Sequence, residues 1–411
     1  MPWSERSTMS LREEFIRLAM MEDANIQSLC RQFGISRKTG YKWLTRYQQH
    51  GLSGLADRSR RPRSSPAKTA DELERLVLGI RDRHPAWGGR KIRHILAQET
   101  LEPLPSPSTI TSILRRWDRL DPQESAKRGP CQRFEHPEPN ALWQMDFKGN
   151  FALFGGKVRC HPLSVLDDHS RFCLLLCACS NEQTATVQQC LIGGFRAFGL
   201  PERMLMDNGP PWGGGGAMKH TPLTAWLMRL GIYVCHGRPW HPQTQGKDER
   251  FHRTLTDELL RPVMGLSVRW NVHASSSAKP GAAPSQSGRM VSVCDFTKCQ
   301  SHFDRFRQEY NEVRPHEALN MQTPSCRYRP STRVYPETLP NVEYVLNNGD
   351  QLRKVDCSGK ISFGNRRHHI GMAFVGHPVA VRPTQIDGLH DVYFCHQRVT
   401  TIDLAAEEAT T

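Results

Sequence analysis

Three carboxylates stand where acidic side chains are uncommon in a folded chain. Asp146 lies inside a predicted apolar strand, and the interior of a strand normally excludes charge. Asp207 follows another short apolar strand, at the carboxyl end where α/β sheets place their ligands. Glu249 lies in the first turn of a predicted helix, after the turn-rich loop HPQTQG at 241–246. Their types and positions make them candidates for one acidic site.

The predicted order of elements allows these three side chains to meet. From residue 142 onward the pattern reads β-β-β-α-β-α-β-α, which predicts a mixed sheet with helices on both faces. We expect the first strand to be central, the fourth strand to lie beside it, and the last helix to pack across that edge. Asp146, Asp207 and Glu249 would then converge.

Converging carboxylates repel one another and raise each other's pKa unless something cancels their charge. Hard divalent cations such as Mg²⁺ do so. Two such ions, roughly 3.5–4 Å apart, activate a hydroxyl and stabilise the leaving oxygen of a phosphodiester. The pattern therefore favours metal-dependent phosphoryl transfer on nucleic acid. The alternative is that these are ordinary surface acids, which are common.

Four other acidic residues compete for the same role. Asp167 and Asp168 fall in a predicted hairpin turn, where Asp is favoured for local hydrogen bonding, so we interpret them as structural. Glu258 lies about 13.5 Å further along the helix than Glu249, at ~1.5 Å rise per residue. Asp248 points about 100° away from Glu249 around the helix axis.

The N-terminal region, residues 1–56, is predicted to be a helix-turn-helix domain. Gly34 breaks a short helix, and Ser36 is a good N-cap for a second one. A basic second helix is typical of one that reads the major groove of DNA, although a three-helix bundle with a solvated charged face is the alternative. The basic residues on the predicted recognition helix are Arg37, Lys38, Lys42 and Arg46.

Residues 57–70 form a basic linker that either follows a DNA backbone or is merely solvated. Its arginines are Arg58, Arg60, Arg61 and Arg63. Residues 71–120 resemble a second helix-turn-helix domain, and the Pro-containing polar stretch 121–140 is a second linker. In the last core helix, Lys247, Arg250 and Arg253 either hold DNA phosphates or form a solvated basic face.

The predicted fold class is multidomain α+β. A mixed α/β catalytic core occupies 141–330, and the short strands of 340–405 suggest a small β-barrel. Within that barrel, the basic stretch 366–369 either touches nucleic acid or is an ordinary strand edge.

Composition excludes several classes of protein. The 411 residues carry a net charge of +14 and a mean hydropathy of −0.57, and no apolar run is long enough to span a membrane. The first ten residues lack the apolar stretch of a signal peptide. The 13 cysteines form no Cys-x-x-Cys pair, which favours reduced thiols in a cytoplasmic protein.

Four motifs resemble those of bacterial insertion-sequence transposases with a retroviral-integrase-type core. They are WQMDFKG (143–149), DNGPPW (207–212), HPQTQGKDERFHRTL (241–255) and FDRFRQEYNEVRPHEALNMQTP (303–324). The resemblance implies a ribonuclease-H-like core with two Mg²⁺ or Mn²⁺ ions, in which Asp146, Asp207 and Glu249 are the Asp-Asp-Glu triad. It also implies that the substrate is DNA, both the ends of the element and the target duplex. The protein is then expected to be a homo-oligomer associated with the nucleoid, and neither a membrane nor a small molecule is an expected partner.

One stretch departs from this family pattern. Residues 262–293 are rich in Ser, Ala, Gly and Pro and lie where related transposases continue directly. Such a composition predicts a disordered insertion, and the alternative is a short out-of-frame stretch in a damaged copy.

Two other functions compete with that of a DNA transposase. The first is a metal-dependent nuclease of the same fold that only hydrolyses DNA. The second is a DNA-binding protein without catalysis, either a repressor or a decayed transposase.

Overall fold

The structure is a computed structural model of the 411-residue chain, and it forms two compact units, Met1–Lys68 and Thr69–Thr411. It describes residues 8–58, 68–100, 103–120, 135–153, 158–214, 220–237, 246–262, 264 and 295–405. Arg60, Arg61 and Arg63 of the predicted linker lie outside these residues, as does almost all of the predicted insertion 262–293. None of the helices in the described ranges combines the length and the apolar character needed to cross a membrane.

The first unit contains the three predicted helices. Ser36 caps the third, because its Oγ accepts a hydrogen bond from the backbone N–H of Thr39 at 3.1 Å. Gly34 has φ +62° in the preceding turn, a conformation that favours glycine. Phe15 and Trp43 are buried between the helices. The helices are α1 (Thr8–Ala19), α2 (Ile26–Gln32) and α3 (Arg37–His50).

The second unit begins with another three-helix group, as predicted. Ser106 caps its last helix by accepting a hydrogen bond from the N–H of Thr109 at 3.1 Å. Gly89 is required where two helices cross, since a Cβ there would lie 2.3 Å from the carbonyl oxygen of Pro107. The helices are α4 (Asp71–Arg83), α5 (Gly89–Glu99) and α6 (Pro107–Arg116).

A six-stranded mixed sheet follows. Its order is β2-β3-β1-β5-β6, and β4 pairs with the long strand β3. The central strand β1 is antiparallel to β3 and parallel to β5, which confirms the predicted placement of the first strand. The strands are β1 (Trp143–Phe147), β2 (Phe151–Leu153), β3 (Val158–Asp167), β4 (Cys173–Cys179), β5 (Arg203–Met206) and β6 (Tyr233–His236).

The sequence predicts one strand over the apolar run ALWQMDFKGNFALFGG (141–156), and this prediction was wrong. The apolar run divides into β1 and β2, because Gly149 turns the chain at φ +78°. Both pieces then pair with β3, β2 with its first residues and β1 with its last. The periodicity showed the apolar character of the run but not this turn.

The helices of the core pack around this sheet. The predicted last core helix is α-helical to Leu255 and continues as a π-helical segment, Thr256–Leu260. The helix that follows it in the described chain is tied to β4 by Asn311, whose side chain makes hydrogen bonds of 2.8 and 2.9 Å with the backbone of Cys173. The helices are α7 (Thr184–Phe198), α8 (Pro222–Arg229), α9 (Gly246–Leu255) and α10 (Phe296–Glu312).

The C-terminal strands form a four-stranded sheet in the order β12-β11-β10-β7 and a β8-β9 hairpin. This is an open path in the described residues, so the predicted small β-barrel is not confirmed. Gln397 joins the sheet to the core by making two 2.9 Å hydrogen bonds to the backbone of Val234 on β6. The strands are β7 (Gln351–Lys354), β8 (Lys360–Phe363), β9 (Arg366–His369), β10 (Pro378–Pro383), β11 (Leu389–Phe394) and β12 (Gln397–Asp403).

Candidate active site

Asp146 lies on the central strand, and its side chain is 27% exposed. Its Oδ1 accepts a hydrogen bond from the backbone N–H of Phe147 at 2.8 Å. Burial first, and then the neighbouring charges of Asp207 and Glu249, together raise the pKa of Asp146 to about 7, although the hydrogen bond from Phe147 acts in the opposite direction. Asp146 is therefore an acid whose ionised form is poorly compensated by the protein.

Asp207 directly follows β5. Trp143 and Gln144 of β1 lie beside Met204 and Leu205 of β5 in parallel register. Continuing this register by two residues puts Asp207 next to Asp146. The carboxylate of Asp207 accepts the backbone N–H of Gly209 at 3.1 Å, so the turn itself orients the side chain.

Glu249 lies in the first turn of α9 and is exposed. The helix contacts β1, which explains why the charge of Glu249 acts on Asp146. Asp146 therefore lies within electrostatic reach of both Asp207 and Glu249. The described residues nevertheless contain no group of three His, Cys, Asp or Glu side chains already arranged to hold a metal ion.

Asp248, the neighbour of Glu249, is fully buried. Neither of its carboxylate oxygens has a hydrogen-bond partner within the described part of the protein. Burial raises its pKa well above the ordinary value, and the charge of Asp146 contributes in the same direction. The sequence placed Asp248 away from Glu249 around the helix but did not show that it faces the interior.

Asp167 and Asp168 are structural, as interpreted from the sequence. Both are fully buried. Asp167 accepts hydrogen bonds from the backbone N–H groups of Asn140 (2.7 Å) and Ser170 (2.8 Å). Asp168 accepts one from Nε2 of Gln144 at 2.7 Å. Asp167 thus joins the turn after β3 to the segment before β1, and Asp168 joins that turn to the central strand.

Lys247, a predicted phosphate ligand, instead makes a contact inside the protein. Its side chain is only 10% exposed, and its Nζ lies 2.5 Å from the carboxylate of Asp168. The same Nζ donates a hydrogen bond to the carbonyl oxygen of Asp168 at 2.9 Å. Lys247 therefore anchors the start of α9 to the turn after β3.

Glu258, the other competitor for the third carboxylate, forms a nearly buried ion pair with Arg314. The Nε of Arg314 lies 3.0 and 3.1 Å from the two carboxylate oxygens, and the two side chains are 12% and 8% exposed. Arg314 belongs to the last of the four family motifs, FDRFRQEYNEVRPHEALNMQTP (303–324). Its pairing fastens that motif to the segment that continues α9.

The predicted recognition helix presents a basic surface. Arg37, Lys38 and Lys42 are exposed. Arg46 is half-buried, and its guanidinium lies 5.0 Å from the centroid of the Trp43 ring. Lys42 also contacts Trp43, with its Nζ 4.6 Å from the ring centroid. The exposed side chains of Arg37 and Lys38 are thus available for phosphates or bases, whereas Lys42 and Arg46 also pack on the domain.

Two further predicted basic residues, Arg250 and Arg253, are exposed on α9. Arg58, the one residue of the predicted linker cluster within the described residues, is exposed as well. Their exposure fits both interpretations, because side chains that bind DNA phosphates and side chains of a solvated basic face are equally exposed.

Sequence reasoning missed Ser164 and His252. Ser164 lies on β3 directly opposite Asp146, and His252 lies on α9 with its Nε2 2.8 Å from the Ser164 hydroxyl. The spacing of three residues between Glu249 and His252 puts both on one helix face and was a usable signal. Nothing in the sequence identifies Ser164, because its position depends on strand register.

Family models match five segments of the chain. A helix-turn-helix domain matches 11–63 and a homeodomain-like domain matches 39–114. The integrase core domain matches 136–242, and a second integrase core model matches 290–324. The C-terminal domain of IS481 family transposases matches 350–410.

The chain is a transposase with an integrase-type core. It is 22% identical to the transposase for transposon Tn552 of Staphylococcus aureus, over 92% of this chain and 79% of that protein. It is also 32% identical, over 134 residues, to the Gag-Pro-Pol polyprotein of squirrel monkey retrovirus, but spans only 7% of that polyprotein.

Among solved structures, the HTLV-2 integrase catalytic core domain in complex with magnesium aligns at 12% identity and a TM-score of 0.31. The alignment covers 47% of this chain and 99% of that one. An integrase-type core implies polynucleotidyl transfer in general. Asp146 and Asp207 lie inside the matched core segment, whereas Glu249 lies between the two matched segments.

Proposed function

We propose that this transposase binds the ends of a mobile DNA element and catalyses metal-dependent DNA cleavage and strand transfer. The observation that carries the proposal is Asp146. It lies on the central strand of an integrase-type core, and its pKa is raised by burial and by the charges of Asp207 and Glu249. Perturbed carboxylates of this kind cluster at functional sites.

The donor set fits a hard divalent cation. Asp146, Asp207 and Glu249 would offer only carboxylate oxygens, which Mg²⁺ and Mn²⁺ prefer. Their mutual repulsion is what bound cations would remove. The chemistry that a pair of such ions supplies when bound is stabilisation of the attacking and leaving oxygens of a phosphodiester.

The protein's own contribution is to hold these carboxylates in place. The N–H of Phe147 fixes the carboxylate of Asp146, and the N–H of Gly209 fixes that of Asp207. Glu249 is carried by α9, which Lys247 anchors through Asp168. These contacts orient the carboxylates of Asp146 and Asp207 and hold the helix that carries Glu249, and catalysis by positioning requires such support.

The proposed reaction has two steps. Water cleaves a phosphodiester at the element end and leaves a 3′-hydroxyl and a 5′-phosphate. The 3′-hydroxyl then attacks a phosphodiester of the target, forms the new bond to the target's 5′-phosphate and releases a target 3′-hydroxyl. Neither step needs a covalent enzyme intermediate, so we assign no Ser or Tyr nucleophile.

DNA recognition is assigned to the helix-turn-helix domains. We propose that Arg37, Lys38 and Lys42 of α3 contact the element end, and that Arg250 and Arg253 of α9 contact phosphates near the site. Holding two ends together requires a homo-oligomer. The small C-terminal β-barrel and the cytoplasmic location stay predictions.

Incubation with randomly fragmented genomic DNA and Mg²⁺, followed by sequencing of bound and rearranged fragments, tests the proposal. Transposition predicts recurrent end sequences joined to unrelated target DNA. Recurrent cleaved ends without joined products would instead indicate a hydrolytic nuclease of the same fold. Binding without any metal-dependent cleavage would indicate a DNA-binding protein that lacks catalysis.

A further inference from the structure

A chain of hydrogen bonds joins α9, the helix that carries Glu249, to the backbone of the central strand β1. Ser164 is fully buried on β3, opposite Asp146. Its hydroxyl donates a hydrogen bond to the carbonyl oxygen of Asp146 at 3.2 Å and lies 2.8 Å from Nε2 of His252. Since a serine hydroxyl has one proton to donate, Nε2–H of His252 is the donor to Ser164.

In this arrangement His252 makes no hydrogen bond to the carboxylate of Asp146. Nδ1 of His252 lies 3.9 Å from Oδ2 of Asp146, which is too long for a hydrogen bond. The ring is 4% exposed and therefore has little room to reorient. His252 is thus linked to the backbone of β1 through Ser164, and it lies near the carboxylate of Asp146 without bonding to it.

The position of His252 on α9 ties this contact to Glu249. The two residues are three positions apart, so they lie on neighbouring parts of one helix face. A fixed contact between His252 and Ser164 therefore fixes the rotation and the height of α9 relative to β1. Lys247 anchors α9 before Glu249, through Asp168, and His252 anchors it one turn after Glu249. Without the His252 contact, Glu249 is held from one side only and moves relative to Asp146.

We propose that His252 is a positioning residue, which acts through Ser164 to hold Glu249 in register with Asp146 for divalent-metal binding. The inference rests on the proposed function, because it assumes that these two carboxylates bind metal together. Outer hydrogen-bond partners of this kind typically change metal affinity or activity by about 10–100-fold when they are removed. Such an effect distinguishes positioning from simple filling of the core.

Four variants test which atom of His252 matters. A Gln amide reaches about as far as Nε2, and an Asn amide about as far as Nδ1. His252→Gln therefore keeps the contact with Ser164, whereas His252→Asn keeps only the group near Asp146. His252→Ala and Ser164→Ala remove the contact from either side.

The first readout is binding of Mn²⁺ by the full-length protein, measured as loss of the free-ion electron paramagnetic resonance signal. The second is the Mg²⁺ concentration that gives half-maximal strand transfer. We expect His252→Ala, His252→Asn and Ser164→Ala to lower the affinity for Mn²⁺, and to raise the Mg²⁺ concentration for half-maximal strand transfer, each by about tenfold or more. His252→Gln should remain within about threefold of wild type, and the Ser164→Ala/His252→Ala double variant should be no worse than either single variant.

Thermal unfolding of every variant separates loss of fold from loss of register. If His252→Ala does not fold, Ser164→Ala carries the same test, because it removes one hydroxyl only. Wild-type metal affinity in Ser164→Ala, or a His252→Gln as weak as His252→Ala, overturns the inference. Rescue by His252→Asn but not by His252→Gln also overturns it, since a direct role at Asp146 would then be indicated.

Asp146→Asn is the reference for loss of the site. If wild type binds Mn²⁺ with the predicted variant pattern but never joins DNA, the proposed function fails while the positioning role stands. If wild type binds no Mn²⁺ beyond Asp146→Asn, the positioning inference fails as well.

Discussion

Replacing Asp146 by Asn should stabilise the metal-free protein at neutral pH and leave it unchanged in acid. Burial and neighbouring charges raise the pKa of Asp146 to about 7 from its ordinary value of 3.8. Between these two values the unfolded chain has released the proton while the folded protein still holds it. Each rise in pH within that window therefore favours unfolding of wild type, and above about pH 7 the loss is complete.

The magnitude follows from the size of the pKa difference. About three pH units correspond to about 4 kcal/mol of unfolding free energy. This is an upper value, because the side chain is 27% exposed and solvent screens part of the interaction. Asn mimics the protonated acid and can still accept the N–H of Phe147, so the difference between variant and wild type should appear between about pH 4 and 7.

The assay is urea unfolding of full-length wild type and Asp146→Asn in EDTA at pH 4 and 7.5, followed by tryptophan fluorescence. The buried His316, whose pKa burial lowers to about 2, is present in both proteins, so its titration cancels in the difference. Asp207→Asn should recover part of the same stability, because the charge of Asp207 raises the pKa of Asp146. An equal difference between wild type and Asp146→Asn at both pH values would refute the reasoning.

Two further predictions concern the support of α9 and the recognition helix. Arg314→Ala leaves Glu258 nearly buried without its partner and should lower the unfolding free energy by about 3–5 kcal/mol. Arg261→Ala, which breaks an exposed pair one turn further on, should cost about 0.5 kcal/mol or less in the same urea titration; equal costs would contradict the buried-pair argument. Lys38→Ala should reduce the slope of log K against log salt for DNA binding by about 0.9, measured by fluorescence anisotropy, and an unchanged slope would remove Lys38 from the interface. Arg196→Ala, at an exposed arginine paired with Glu337, is the matched control.

The sequence predicted those parts of the fold that depend on local signals. Ser36 caps its helix where predicted, because an N-cap needs only a side chain and the N–H group three residues later. The central position of β1 followed from the order of strands and helices. The break at Gly149 was missed, since a glycine inside an apolar run does not show by itself that the chain turns.

The surroundings of the site were less predictable because they depend on contacts between distant residues. The pairing of Lys247 with Asp168 joins positions 79 residues apart, and the basic character of Lys247 suggested a phosphate ligand instead. The hydrogen bond between Ser164 and His252 spans 88 residues. Strand register and helix rotation decide such contacts, and neither is visible in a single sequence.

The most direct test of the central claim compares wild type with Asp146→Asn, Asp207→Asn and Glu249→Gln. An element-end duplex identified from the genomic experiment is incubated with target DNA and Mg²⁺, and joined products are counted by sequencing. We predict that wild type joins DNA, that each variant loses both cleavage and joining, and that all three still bind the duplex. Asp257→Asn, which changes an acid of the exposed pair with Arg261, should stay active. Near-normal joining by any one of the three variants would contradict the assignment of that carboxylate to the site.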